Sequence, residues 1–188
     1  ADLFMALIMH LLKHDIGRAA VVLPDGFLFG EGAKTTLKRE LLEEFNLHTI
    51  VRLPKGVFAP YTGIATNVLF FEKGEPSKDV WFFEHPYPDG YKSYSRSKPL
   101  EIKEFDLEKA WWGGPTRSGR KITKNAWKIS AVDIAERNYN LDCKNPHAVE
   151  ISHRAPADLM AEYQELTRQL TEAQHALKAE LMLALGGR

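Results

Sequence analysis

The chain has 188 residues, 44% of them hydrophobic, which is enough to bury one core with at most a smaller appendage. Its 25 basic and 25 acidic residues give a formal net charge of +0, so no overall field attracts it to nucleic acid or membrane, and any such attraction must be local. The single cysteine, Cys143, excludes an internal disulfide framework and a four-thiolate zinc site, and it suits a reducing, cytoplasmic location.

The opening stretch, ADLFMALIMHLLKH, has the apolar spacing of a helix, with further apolar side chains around most of its circumference. We expect a helix that is buried on several sides, has Asp2 as its N-cap and ends before Gly17. A signal peptide is disfavoured because the stretch has no initiating Met and no basic leading region, and because His10 and Lys13 interrupt it.

The next segments alternate between strand and helix patterns. RAAVVLP is a continuous apolar run, typical of a parallel strand covered on both faces, and HTIVRLP predicts a second strand. The segment between them predicts an amphipathic helix that carries Leu37, Leu41, Leu42 and Phe45. NVLFFE is a third apolar run, and the loop before it is too short for a helical crossover, so we expect it to return antiparallel. This order predicts an α/β layered fold.

After Gly74 the composition changes to a segment rich in aromatics, prolines and polar turn residues, which predicts an irregular β excursion. From Tyr91 to Lys128 there are ten Lys or Arg against four Asp or Glu, a net of +6. Two interpretations stay open, a solvated basic loop or a surface that approaches DNA phosphates. The candidate phosphate contacts are Arg117, Arg120, Lys121 and Lys124. Beyond them, Ser130 and Asp133 predict the start of a short helix.

Several motif matches fail. GPTRSGRKIT nearly forms a phosphate-binding loop, but Arg120 separates Gly119 from Lys121, and Ile122 stands where Ser or Thr is required. GFLFGEG lacks the dinucleotide-binding spacing and is expected to be a turn. The seven histidines form no HExxH pattern, and no Ser has the context of a nucleophile elbow. The sequence therefore predicts no metal site and no hydrolytic catalyst.

The tail predicts a long helix, because apolar residues recur at alternating spacings of four and three and Pro156 suits a first turn. Its narrow apolar seam consists of Leu159, Tyr163, Leu166, Leu170, Ala173 and Leu177. The seam could pack on its own domain or against a partner helix, and the spacing favours neither.

A loop of aromatics, prolines and small hydroxyls joins the two strands of the predicted hairpin. It places Phe58, Tyr61, Thr62, Thr66 and Asn67 at the ends of buried strands, where open α/β sheets form ligand crevices. The alternative is a hairpin closed by Pro and Gly with its aromatics folded onto the core, and periodicity alone favours that alternative.

Three stretches resemble one known family: GRAAVVLPDGFLFG, LLEEFNLHTIVRLPKGVFAPYTGIATNVLFFEKG, and WKIS with NYNLDCKNPH. They resemble the C-terminal portion of the modification (methyltransferase) subunit of type I restriction-modification systems, in the N-6 adenine DNA methylase family, over roughly residues 1 to 147. That family transfers a methyl group from S-adenosylmethionine to the exocyclic amine of adenine in DNA. The resemblance thus implies a cytoplasmic enzyme that has DNA as a partner and no membrane.

The resemblance also implies a fold, the C-terminal part of a Rossmann-like S-adenosylmethionine-dependent methyltransferase sheet with an irregular β excursion and a long C-terminal helix. We expect its last three strands here, in a methyltransferase segment (1–75) followed by an aromatic and basic extension (76–150) and a helical tail (151–188). The strand AAVVL would then have an open edge, which predicts self-association.

The family's glycine-containing cofactor motif and its Asn-Pro-Pro-aromatic catalytic tetrapeptide do not occur in these residues. No residue is therefore assigned to catalysis, the cofactor-binding residues are unknown, and the chain is expected to be inactive without a missing N-terminal half.

The family flips the target base out of the duplex into a pocket, because a base amine inside a duplex is out of reach. Phe58 matches the position of an aromatic that stacks on the flipped adenine, and Tyr61, Thr62, Thr66 and Asn67 are expected to shape the pocket wall. The implied protein partners are the specificity and restriction subunits, and the apolar seam suits docking on the specificity subunit. The alternative function is an assembly or DNA-binding module that docks on a specificity subunit.

Overall fold

The structure, a computed structural model, describes residues 1–148 and 156–186. The chain divides into two units, Ala1–Ala148 and Val149–Arg188. The predicted boundary between residues 150 and 151 lies outside the described residues, and the one between 75 and 76 falls between two strands of a single sheet. The division into three segments stays a prediction.

The first unit contains five strands and five α-helices. In chain order they are α1 (Asp2–Leu11), β1 (Arg18–Pro24), α2 (Asp25–Phe29), α3 (Ala33–Glu43), β2 (Phe45–Arg52), β3 (Thr66–Lys73), β4 (Asp79–Glu84), α4 (Asp106–Trp111), β5 (Ala126–Ser130) and α5 (Ala131–Glu136). A 3₁₀ turn, Ile102–Phe105, precedes α4, and the second unit contains α6 (Pro156–Gly186). Within the described ranges, no helix combines the length and apolarity that a membrane span requires.

The five strands form one mixed sheet in the order β1-β3-β2-β4-β5. Strand β3 is antiparallel to both β1 and β2, β4 is parallel to β2, and β5 is antiparallel to β4. The antiparallel return expected for NVLFFE is confirmed, since a loop of this length cannot carry a crossover. The α/β class and the long C-terminal helix are confirmed as well. Strands β4 and β5, however, lie in a region where only an irregular β excursion was expected.

Strand β1 differs from the prediction. It pairs with β3 alone among the described strands, antiparallel, and alternate residues such as Ala20 and Val22 are exposed. The expectation of a parallel strand covered on both faces is therefore wrong for the described residues. The expectation of an open edge is met, and self-association through that edge stays a prediction.

Helix α1 is covered on one side rather than several. Met5 and Met9 are buried, whereas the neighbouring stripe is exposed at Leu3, Phe4, Leu7 and Leu11. Asp2 is not the cap but the first helical residue, and its carboxylate pairs with Lys34 at 2.8 Å. An apolar pattern around most of a helix does not reveal which stripe is covered, and this is why the prediction failed.

The expected GFLFGEG turn begins with a short helix, α2, which buries Phe27 and Leu28. The buried Lys38 of α3 donates from Nζ to the carbonyls of Leu28 and Gly30, each at 2.8 Å, and so satisfies the end of α2. Helix α5 is capped as predicted, because the Ser130 hydroxyl accepts the Asp133 N–H at 3.1 Å.

The core lies mainly on one face of the sheet. Because side chains alternate along a strand, Ile50 and Phe82 point to one face, and Val51 and Phe83 point to the other. The first face forms a large cluster with α1, α2 and α3, whereas the second forms a smaller cluster that also contains Leu53 and Ala126. Trp111, at the end of α4, packs on the smaller cluster.

Candidate functional site

The loop of residues 53–65 lies at the edge of the sheet where the parallel strands β2 and β4 end. The Leu53 N–H donates to the Thr66 carbonyl at 2.9 Å and closes the hairpin. Asp25, which directly follows β1, donates its N–H to the Ala65 carbonyl at 3.0 Å. Three strand ends therefore meet at this loop, at the position where open α/β sheets form ligand crevices.

The five predicted loop residues fall into a more exposed group and a buried group. Phe58 is 42% exposed, Tyr61 is 93% exposed and Thr62 is partly buried, and the N–H groups of Tyr61 and Thr62 both donate to the Phe58 carbonyl. Thr66 and Asn67, at the start of β3, are buried. The two aromatic rings are not folded into the core; Val57 packs on the smaller cluster instead. The loop thus exposes two aromatic rings, and the strand that follows it begins with two buried polar residues.

Polar contacts hold the strand ends on either side of the loop. Asn67 donates from Nδ2 to the Asp25 carboxylate at 2.6 Å. Arg52, the last residue of β2, pairs with Asp142 at 2.8 Å and donates to the Cys143 carbonyl at 3.1 Å. The NYNLDCKNPH segment is therefore tied to the end of β2, and the ends of β1 and β3 are tied to each other.

A cleft of about 460 Å³ lies beside the loop, at the ends of β2 and β4. Its polar and aromatic lining includes Asp25, Arg52, Lys55, Glu84, His85 and Tyr87. Sequence reasoning missed these six residues. A usable signal existed for Asp25, Arg52 and Glu84, since each is a charged residue directly at the end of an apolar strand run.

The described residues do not form a site for a nucleoside cofactor. The carboxylates at this edge already have partners, since Asp25 accepts from Asn67, and Glu84 accepts from Asn145 at 2.9 Å. Strand β1 passes directly into α2, without the glycine turn that brings a cofactor close to a strand end. Among residues 1–148 and 156–186, no group of His, Cys, Asp or Glu is arranged to hold a metal ion.

Two of the four basic residues predicted to meet DNA are engaged within the chain. Arg117 forms a bidentate pair with Glu72 at 2.8 and 3.0 Å, and this pair lowers the pKa of the Glu72 carboxyl. Arg120 is buried and donates to the carbonyls of Trp112 and His48, each at 3.1 Å. A DNA contact is therefore not supported by the positions of these two guanidinium groups. Lys121 and Lys124 are exposed, and their DNA contact stays a prediction.

Arg120 is the centre of an aromatic cluster on the second face of the sheet. Its guanidinium lies 4.8 Å from the ring centroid of Trp111 and 4.6 Å from that of Trp112. Burial, together with the charges of Arg117 and Arg120, lowers the pKa of the adjacent His48 to about 3. His48 is therefore neutral near pH 7 and adds no like charge beside Arg120.

The apolar seam of α6 is exposed along its described length. The exposed fraction ranges from 46% at Leu159 to 66% at Tyr163. On another side of the helix, Arg168 pairs with Glu165 and Glu172 within one turn in each direction. One side of α6 is therefore apolar and exposed, and another side carries paired charges.

Comparison with known proteins identifies similar chains. The model of the family described as N-6 DNA Methylase matches residues 1–154. The methylase subunit of the type I restriction enzyme EcoEI from Escherichia coli is 54% identical over 189 aligned positions, which cover 100% of this chain and 38% of that protein. This chain thus spans little more than a third of that relative.

Two solved structures are similar in fold. A modification subunit of a putative type I restriction enzyme from Vibrio vulnificus YJ016 is 47% identical, with a TM-score of 0.73 over 81% of this chain and 33% of that one. A chain from a structural study of complex assembly and conformational transition in a type I restriction-modification system is 31% identical. Its TM-score is 0.74 over 100% of this chain and 40% of that one.

Proposed function

This chain belongs to the N-6 DNA methylase family, and on that premise we propose that it forms the adenine-binding side of a type I DNA methyltransferase subunit. Its relatives are methylase subunits of type I restriction enzymes. The chain spans only part of their length, so the proposed enzyme is a larger assembly in which this chain is one wall of the active site.

The exposed ring of Phe58 carries the proposal. It lies on the loop at the carboxyl ends of β2 and β4, and Lys55 and Ala65 of the same loop line the adjacent cleft. A base that has been flipped out of a duplex needs a flat apolar surface on which to stack, and a partly exposed phenylalanine provides one. Tyr61 and Thr62 lie on the same loop, and in this proposal they contact the base or the strand that carries it.

The remaining parts of the reaction belong to other residues. S-adenosylmethionine would supply an electrophilic methyl group for transfer to the adenine N6 amine, with S-adenosylhomocysteine and a released proton as the other products. The described residues neither hold this cofactor nor polarise the amine, so the chain alone is expected to be inactive. Its own contribution is to hold the base in place for the attack.

A complementation experiment tests the proposal. The chain is mixed with the rest of a type I methylase subunit, S-adenosylmethionine bearing a labelled methyl group, and unmethylated DNA. We expect no methyl incorporation from either part alone and N6-methyladenine from the two together. Absence of methyl transfer with every partner combination, or methylation of cytosine, would contradict the proposal. The former outcome would favour an assembly module as the function.

The exposed seam of α6 supports a second part of the proposal, docking on the specificity subunit. We expect the double change Leu166→Asp and Leu170→Asp to weaken binding of that subunit at least about tenfold, because two apolar anchors become charged. His175→Asp, off the seam, is the matched control and should leave binding unchanged. A pull-down measures the complex, and circular dichroism checks the helix. Full retention of the complex by the double variant would refute docking through this seam.

A further inference from the structure

The segment that follows β4 contacts the loop that carries Phe58. The Tyr87 hydroxyl donates to the Lys55 carbonyl at 2.9 Å. Within the described part of the chain, two hydrogen bonds join the loop of residues 53–65 to the chain outside the hairpin: this one near Phe58, and the one from the Asp25 N–H to the Ala65 carbonyl at the far end of the loop. The other hydrogen bonds of the loop are local, such as the one from the Ala59 N–H to the Gly56 carbonyl at 2.9 Å. They fix the internal shape of the loop but not its place on the sheet.

A second contact lies next to the first. Gly56 has a φ of +85°, and a Cβ at this position would lie 2.8 Å from the carbonyl oxygen of Tyr94 and 3.3 Å from its nitrogen. The two backbones therefore approach more closely than any side chain would permit, in a conformation that favours glycine. Gly56 is only two residues from Phe58, so the contact bears on the position of that ring.

The tyrosines that make these contacts are themselves held in place. Tyr94 is buried, its ring lies 5.5 Å from the ring of Tyr87, and its hydroxyl donates to the Glu104 carboxylate of the 3₁₀ turn. Burial and the nearby Glu104 raise the pKa of Tyr94, so its hydroxyl stays a donor. At the start of the segment, the His85 N–H donates to the Arg52 carbonyl at 2.9 Å.

We propose that Tyr87, together with the close contact between Gly56 and Tyr94, sets the position of Phe58 against the flipped adenine. This inference rests on the proposed function and gives the aromatic segment after β4 a role in it. Tyr87 is a positioning residue, because it acts on the base through the loop. The physical reason is preorganisation, since a displacement of about 1 Å at a reacting centre can lower the rate a hundredfold.

The test uses the assembled methyltransferase and a duplex with 2-aminopurine at the target position, whose fluorescence rises when the base leaves the stack. Tyr87→Phe keeps the ring and removes the hydrogen bond, and we expect roughly fivefold weaker base capture and a similar fall in kcat. Gly56→Ala should cause a larger loss, because the loop must shift away from Tyr94. Gly63→Ala is the matched control, since no atom lies within 4 Å of its added Cβ and its φ is not positive.

A double-mutant cycle separates this role from other roles. In a Phe58→Ala background, Tyr87→Phe should have no further effect on base capture, because the ring that it positions is gone. Additive effects, or a Tyr87→Phe variant with wild-type fluorescence and kcat, would overturn the inference. If Phe58→Ala alone left methylation intact, the proposed function itself would fail. If Gly56→Ala does not fold, the Tyr87→Phe variant still tests the inference.

Discussion

Replacement of Phe58 with alanine is expected to lower methyl transfer by the assembled enzyme about fivefold to 150-fold. A stacked base contributes about 1–3 kcal/mol by alanine substitution, which corresponds to a loss of this size. The free energy of unfolding should change little, because the ring is 42% exposed and lies in neither buried cluster. Initial rates of methyl incorporation, measured over a range of duplex concentrations, give kcat/KM for the two proteins.

Two further variants test whether the loss comes from the missing aromatic ring. Phe58→Tyr preserves the flat ring and should retain most of the activity. Ile102→Ala removes another exposed apolar side chain, 74% exposed on the 3₁₀ turn, and should behave like the wild type. Equal losses for Phe58→Ala and Phe58→Tyr would indicate that stacking is not what Phe58 provides.

Replacement of Arg120 with alanine is expected to lower the free energy of unfolding by about 2–4 kcal/mol. The change removes two charge-assisted hydrogen bonds, leaves the carbonyls of His48 and Trp112 without that donor, and opens a gap between the two tryptophan rings. The variant no longer bears the desolvation cost of a buried cation, and this offsets part of the loss. Urea unfolding followed by tryptophan fluorescence measures the effect.

Lys121→Ala is the matched control for Arg120→Ala, because it removes the exposed neighbouring cation and should shift the unfolding free energy by no more than about 0.5 kcal/mol. Arg120→Lys keeps the charge but lacks the planar fork, so we expect it to recover only part of the stability. A stable Arg120→Ala protein that had lost salt-sensitive DNA binding would return Arg120 to the role of a phosphate contact.

The hairpin and its loop were predictable from the sequence. A loop too short for a crossover determines the direction of β3, and the position of Phe58, Tyr61 and Thr62 between two strands puts them at a sheet edge. Which aromatic rings stay exposed was not predictable. Val57 packs on the second face of the sheet, whereas Phe58, the next residue, does not, and only tertiary packing decides between them.

The other differences also arise from contacts between residues that are distant in the chain. Strand β4 was hidden in an aromatic and proline-rich segment, and its identity as a strand depends on pairing with β2, some thirty residues earlier. Arg120 appeared to belong to a basic surface loop, because the sequence does not show that two tryptophans and a strand carbonyl enclose it. A local sequence pattern shows the charge and spacing of residues, but not which of them become buried by distant parts of the chain.

Under the proposed function, the two strands beyond β2 would also affect the length of DNA that the sheet edge contacts. Strand β4 ends at the same edge as β2, and β5 begins there, next to Glu84. At about 4.8 Å per strand, the pair lengthens this edge by roughly 10 Å. That equals the axial rise of about three base pairs, at roughly 3.4 Å each. A duplex lying along this edge would therefore be covered for about three base pairs more, on this side of the target adenine, than it would be without β4 and β5. A nuclease-protection experiment can measure the length of this footprint.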